Sequence, residues 1–343
     1  MITFEEVFTY EHLYASYLKC LLGVSWKGSV QAYDNHAPCN IYKTYKQVYD
    51  ETFKTGRFHY FTIMERGKLR HIKSVSIGER VVQRCLCDYC LVPILSKYFI
   101  YDNCACIKEK GVHFAQNRMK YFLQKGFKKY KTNEFYILQY DFHHFFDTIP
   151  HDKLIEAVST IIQDKKLIRL YSQLVNDFEG GKGLGLGSQI SQISALFYPK
   201  DMDHYFKHNP KLLAYGRYMD DGFMISNDKE ELLKCKKELL EWIEKLGLEP
   251  NMKKIQLKKV KGGFEYLKIR YFLTKTGKVV MKPNRKNITR NRRKLRKMFV
   301  LNIDFKDIDN FVKMVVGNLK HYDSYHTILN FQRDFKKLKE VYL

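Results

Sequence analysis

Two places in the chain put carboxylates where they could do chemistry. Asp141 closes the apolar run Phe135-Tyr-Ile-Leu-Gln-Tyr140, which reads as a strand over 134–141. Asp220 and Asp221 lie between two further strand-like runs, 212–218 and 222–226, at the tip of a predicted hairpin. Adjacent acids in such a turn repel one another unless a cation sits there. Three carboxylates converging from two strands suit a pair of Mg²⁺ ions about 4 Å apart, which activate an attacking hydroxyl and stabilise the leaving oxygen of a phosphoryl transfer. Mg²⁺ takes a few carboxylates together with substrate phosphates and water, so no larger acidic cluster is needed. A plain Asp-Asp turn is the other reading of Asp220-Asp221.

Other residue groups bear on chemistry less directly. Cys87-x-x-Cys90 with Cys104-x-Cys106 has zinc-like spacing, but Cys85 to Cys90 falls inside Arg80-Val-Val-Gln-Arg-Cys-Leu-Cys-Asp-Tyr-Cys-Leu-Val92, an amphipathic helical pattern. Buried helical thiols are the simpler expectation. Gly180–Gly187 holds five glycines among eight residues and reads as a loop. It lacks the Gly-Lys-Ser/Thr ending of a P-loop. Nor does it follow a strand, as a dinucleotide fingerprint would. Residues 283–297 carry eight Lys/Arg and no acid, a pattern that fits contact with a phosphate backbone or a solvated charged helix.

The elements that must position these groups follow from periodicity. A hairpin is expected over 58–76, helices over 78–98 and 111–125, then the strand ending at Asp141. Helices over 151–164 and 167–178, the glycine loop and a long helix over 188–206 lead to the Asp220-Asp221 hairpin. A helix over 230–246 follows, then strands near 254–259, 263–272 and 278–282 and basic helices to the end. Clustered strands with separate helices argue an α+β fold. The 343 residues are 45% hydrophobic, which excludes a disordered chain. No apolar stretch is long enough to span a bilayer and the first residues are acidic, so a soluble, cytoplasmic protein is expected with no membrane partner. The net charge of +23 points to a polyanion, nucleic acid first.

The motifs around the carboxylates decide between the readings. Tyr218-Met-Asp-Asp221 resembles the catalytic motif of reverse transcriptases, and Asp141-Phe-His-His-Phe-Phe146 resembles their first catalytic motif. Gly187-Ser-Gln-Ile-Ser-Gln192 is similar to the loop–helix motif between them. Leu248-Glu-Pro-Asn-Met-Lys-Lys254 and Phe264-Glu-Tyr-Leu-Lys268 resemble the two motifs that close the palm. Order and spacing agree over residues 58–272.

This resemblance implies a right-hand polymerase: N-terminal extension and fingers over 1–135, a palm of antiparallel sheet plus helices over 136–282, and a short, basic, helical thumb over 283–343. It implies a metal set of Asp141, Asp220, Asp221 and the Phe142 carbonyl, holding two Mg²⁺, with Mn²⁺ as a substitute. Lys254 matches the lysine that protonates leaving pyrophosphate, although Ile255 stands where Thr often follows. Lys68 and Arg70 would hold the incoming triphosphate, and Phe146 would be the gate that crowds a ribose 2′-OH. Arg290, Arg292, Arg293 and Lys294 would grip the duplex of RNA template and DNA or RNA primer. The substrates would be deoxynucleoside triphosphates.

Within the family, Leu186 and Gln192 stand where group II intron and retron enzymes carry Gln and Pro, and this resembles the prokaryotic enzymes of diversity-generating retroelements. Gln83, Cys104, Glu109 and Gly185 depart from that group's usual residues. The subgroup implies a bacterial or phage origin, errors at template adenine through Leu186, and a small accessory protein. A length of 343 residues leaves no room for a nuclease or protease domain, so partners are expected to supply cleavage. Phage-defence, abortive-infection and retron enzymes remain alternatives, as do an RNA-binding scaffold and an RNA-dependent RNA polymerase, the last disfavoured by Phe146.

Overall fold

The structure, a computed structural model, describes residues 2–56, 58–65, 68–178 and 180–342, without the side chains of Glu65, Lys68 and Arg70. The chain opens with helices α1 (Phe4–Val7), α2 (Tyr10–Leu21), α3 (Gly28–Asp34) and α4 (Ala37–Tyr49). Thr3 with Glu6 forms a capping box on α1, and Thr9 caps α2. Strands β1 (His59–Glu65) and β2 (Lys68–Ser74) form the expected antiparallel hairpin, with Phe61 opposite Ile72. Its turn residues Arg66 and Gly67 lie outside the described residues. Helix α5 (Ile77–Leu86), capped by Ser76 and Glu79, widens into a π turn at Cys87–Leu91 and continues as α6 (Val92–Leu95). The widening lies just before Pro93, which has no N–H to donate and crowds the preceding turn. Cys85, Cys87 and Cys90 are buried along this helix; of the eight cysteines only Cys39 and Cys106 are exposed.

Helix α7 (Val112–Tyr130) leads to β3 (Tyr136–His143), the short α8 (Phe145–Thr148), α9 (His151–Ser159) and α10 (Lys165–Asn176). The expected long helix over 188–206 is two, α11 (Gln189–Phe197) and α12 (Lys200–Lys207), parted at Pro199. Then come β4 (Ala214–Tyr218), β5 (Asp221–Ser226), α13 (Lys229–Lys245), β6 (Glu249–Pro250) and β7 (Gln256–Lys259). The central antiparallel sheet runs β4-β5-β3-β6, with β7 also on β3. A second sheet has the order β10-β9-β8, from β8 (Phe264–Tyr266), β9 (Ile269–Leu273) and β10 (Val279–Pro283). The single strand expected over 263–272 is broken by a tight turn in which Leu267 and Lys268 both have positive φ, 45° and 66°. Helices α14 (Arg285–Val300), α15 (Phe305–Leu319) and α16 (Tyr325–Tyr342) close the chain.

Three cores hold this α+β fold. The largest joins the N-terminal helices through Phe4, Leu13 and Ile41 to α5, to Leu138 and Met224 of the central sheet and to Tyr171 of α10. A second packs α7 through Met119 and Leu123 on the smaller sheet through Tyr271 and Met281. The last three helices have their own core around Leu295, Phe299, Phe311 and Phe331. No helix among the described residues is long and apolar enough to cross a membrane.

Candidate active site

Strand register brings the distant carboxylates together. In the β3–β5 pair Asp141 stands opposite Asp221, and the Phe142 N–H donates to the Asp220 carbonyl. One step along, Gly222 faces Tyr140. A Cβ on Gly222 would sit 2.1 Å from the Tyr140 ring, so only glycine lets β5 lie this close to β3. The turn between β4 and β5 places Met219 at φ 57°, a strained conformation for a side chain of that size.

A buried polar network beneath the turn holds it there. Arg217, fully buried, donates to the Met219 carbonyl at 2.8 Å and to the Leu196 carbonyl at 2.8 Å. Its charge is met by Asp203 on α12, with Nη2 and Oδ2 at 2.6 Å. Tyr215 also donates to Asp203, at 2.6 Å, and shares a hydrogen bond with Tyr140. A buried Arg is tolerated only when paired and hydrogen-bonded in this way. The turn is thereby tied to α11, α12 and β3 together.

The aspartates line a cavity of about 790 Å³ with Lys254, Gln256, Lys258 and the turn Leu267–Lys268. Asp141 is 3% exposed; its Oδ1 accepts from Asn251 Nδ2 at 2.8 Å and its Oδ2 meets Lys254 Nζ at 2.5 Å. Burial, then repulsion from Asp220 and Asp141, pushes the Asp221 carboxyl up to about 7, against a smaller pull from Lys254. Partial burial works against the charge on Lys254, but the Asp141 hydrogen bond and the field of the carboxylates outweigh it and raise its pKa. Of the lysines that line the cavity, Lys254 is hydrogen-bonded to an aspartate, Asp141, and the clustered donors are hard oxygens, which suits a divalent cation. Among the described residues, no group of three His, Cys, Asp or Glu side chains is already arranged as a metal cage. An ion whose remaining ligands come from substrate phosphates fits such a site.

The other candidate residues are spread around this centre. The Phe142 ring is buried and stacks on Phe145 at 4.8 Å. Phe146 is half-buried beside it, its carbonyl accepting from Leu184 N–H at 2.7 Å. Leu186 is half-buried in the loop before α11, and Gln192 is exposed on that helix. Phe142, Phe146, Leu186 and Gln192 do not line the aspartate cavity. A Cβ on Gly187 would lie 3.7 Å from Ile72, so this loop abuts the β1–β2 hairpin. Lys68 and Arg70 have their backbones on β2, while their side chains lie outside the described residues. On α14, Arg290 and Arg293 are exposed, Arg292 pairs with Asp334 at 2.9 Å, and Lys294 lies over Phe311 at 4.7 Å.

A family profile described as "Reverse transcriptase (RNA-dependent DNA polymerase)" matches residues 59–271, more than half of the chain. The chain belongs to the reverse transcriptase family. The fold is that of a right-hand polymerase. Among solved structures it is similar to apo telomerase from Candida tropicalis truncated from the C-terminal domain, at TM-score 0.50 and 17% identity over 66% of this chain. Telomerase from Candida albicans with a fragment of telomeric RNA matches at TM-score 0.53 and 12% identity over 84% of this chain. The corresponding Candida tropicalis complex matches at TM-score 0.53 and 16% identity over 80%. The reverse transcriptase spans 55% of each of those chains, and at such identities the likeness is one of fold. No curated protein matches the sequence significantly.

For this reverse transcriptase, sequence reasoning missed the residues that support the aspartates. Asn251 was legible only as a member of a motif, and the Arg217–Asp203 pair gave no signal beyond an arginine in an apolar strand.

Proposed function

We propose that the enzyme makes cDNA by two-metal nucleotidyl transfer at Asp141, Asp220 and Asp221, in the error-prone manner of a diversity-generating retroelement. The observation that carries the chemistry is the register of Asp141 against Asp221 in one cavity with Asp220 and Lys254. Two Mg²⁺ ions, or Mn²⁺ in their place, would be held there by the carboxylates and the Phe142 carbonyl, and when bound they supply charge for the attacking 3′-oxygen and the leaving pyrophosphate. Lys254, already hydrogen-bonded to Asp141, is the proton donor at hand for the leaving group. Lys68 and Arg70 would clasp the triphosphate from the hairpin.

Phe146 would exclude ribonucleotides. Phe146→Ala is expected to raise ribonucleotide incorporation relative to deoxynucleotide by about tenfold or more. Leu186 cannot make the hydrogen bonds of a glutamine at its place, and its loop abuts the hairpin that carries Lys68 and Arg70. Discrimination opposite template adenine should therefore weaken. Gln192 and a small accessory protein that captures the RNA template belong to the same reading.

Primer extension on an RNA template with Mg²⁺, followed by sequencing, tests it. Asp220→Asn/Asp221→Asn should lower extension by on the order of 10³-fold. Errors concentrated at template adenine support the diversity-generating reading; uniformly accurate products would replace it with a retron or phage-defence enzyme.

A further inference from the structure

Gln116 is a polar side chain on the buried face of α7, 2% exposed, and it touches three separate parts of the molecule. Its Nε2 donates to the Leu267 carbonyl at 3.1 Å. Its Oε1 accepts from the Tyr322 hydroxyl at 2.9 Å. Its backbone carbonyl accepts from the Tyr271 hydroxyl at 3.3 Å. A carbonyl can only accept, so the Leu267 bond fixes which way the amide points and leaves the oxygen for Tyr322. Leu267 belongs to the positive-φ turn between β8 and β9, and that turn forms one wall of the aspartate cavity. Tyr322 lies in the link between α15 and α16.

Neighbouring contacts reinforce the same junction. The Lys268 carbonyl accepts from Asn284 N–H, and Asn284 caps α14 while its Nδ2 donates to the Glu265 carboxylate at 2.7 and 2.6 Å. Asp323, next to Tyr322, exchanges two hydrogen bonds with Met281 of β10. The rings of His113 on α7 and His321 beside Tyr322 are 4.3 Å apart.

We propose that Gln116 is a positioning residue that sets where a primer terminus rests over the aspartates, by clamping the Leu267–Lys268 turn to α7 and to the thumb at once. A polar side chain buried in an amphipathic helix is costly unless its bonds are made. Here both ends of the amide are used between elements, and neither is used within α7. With Gln116 in place, the turn and the thumb move as one body relative to the carboxylates; without it, the turn keeps its sheet, its Asn284 bond and the packing of Leu267 on the second core, but loses its direct tie through Gln116 to Tyr322.

The experiment measures binding of a fluorescent DNA primer annealed to an RNA template by anisotropy, alongside steady-state extension. Gln116→Met keeps the length and removes both side-chain bonds. Tyr322→Phe removes the thumb bond alone and leaves the packing. The expected result is a primer–template Kd raised about tenfold in Gln116→Met and about threefold in Tyr322→Phe, the size of one or two lost buried hydrogen bonds, with KM for deoxynucleotide unchanged. A Kd within twofold of wild type in both variants overturns the proposal. So does a rise of nucleotide KM in step with Kd, the mark of a merely structural side chain. If Gln116→Met does not fold, Tyr322→Phe decides alone by the same criteria. The assignment of chemistry to the aspartates is tested apart from this, since Asp220→Asn/Asp221→Asn should lower extension by on the order of 10³-fold while leaving primer–template Kd in place.

Discussion

A carboxyl held near neutrality answers to both protons and cations, and Asp221 is one. Burial and two neighbouring carboxylates push it up to about 7. The folded group keeps its proton until about pH 7, whereas an unfolded aspartate loses it near 4. Its contribution to metal-free stability is therefore fully present below about pH 4 and is lost as pH rises through 7. A divalent cation takes over the proton's role at the higher pH. In EDTA, the melting temperature of wild type relative to Asp221→Asn should fall by a few degrees between pH 5.5 and 8. Added Mg²⁺ should raise the melting temperature more at pH 8 than at pH 5.5. Scanning calorimetry checks both; an equal Mg²⁺ shift at the two pH values would contradict this account. Asp141, Asp220 and Asp221 were singled out in the sequence by the motifs around them, since an Asp-Asp turn alone is ambiguous. Gln116 and Arg217 were not, because a glutamine in a polar-striped helix and an arginine in a strand look like surface residues until the fold shows what covers them.

At the scale of elements, the turn that carries Asp220 depends on the buried Arg217–Asp203 pair beneath it. Replacing Asp203 by Asn leaves the Arg217 guanidinium buried without its counter-charge, a change that costs about 3–5 kcal/mol. Denaturant unfolding should show a loss of that order. Extension should fall as well, because Arg217 also holds the Met219 carbonyl at the strained turn. Gly222→Ala should cost about 1–3 kcal/mol by forcing a Cβ into the Tyr140 ring. The sequence pattern placed the helices and strands around this turn, including the β4–β5 hairpin that carries Asp220 and Asp221. It merged α11 with α12 and β8 with β9, because apolar periodicity carries through a short break. The proline at 199 was the available signal for the first. The second turns on two left-handed residues, Leu267 and Lys268, neither of them a glycine, so composition gave no sign of it.

Across the whole molecule, the basic C-terminal helices have their own core and a division of labour among their cations. Arg292 is half-buried and paired with Asp334, whereas Arg290, Arg293 and Lys294 are exposed, Arg290 donating to Asn287 and Lys294 lying over Phe311. Arg290→Ala and Arg293→Ala should each lower the salt-dependence slope of primer–template binding by about 1. Arg292→Ala should change the slope less and the stability of the α14–α16 contact more. Titrations at several salt concentrations distinguish these; an equal drop in slope in all three variants would mean that the pairing seen here gives way on binding. Sequence reading treated the run as uniform, since nothing in it marks which arginine folds back on an aspartate more than thirty residues away. The burial of the thiols has a practical consequence at this scale. Burial holds Cys85, Cys90 and Cys104 at about 12, so these sulfurs stay protonated and unreactive. Maleimide dyes should therefore attach to the unmutated chain at Cys39 on α4, then at Cys106 beside the palm. A donor and an acceptor attached in that order would turn the native polymerase into its own distance gauge, reporting by energy transfer whether the N-terminal helices shift as each nucleotide is added.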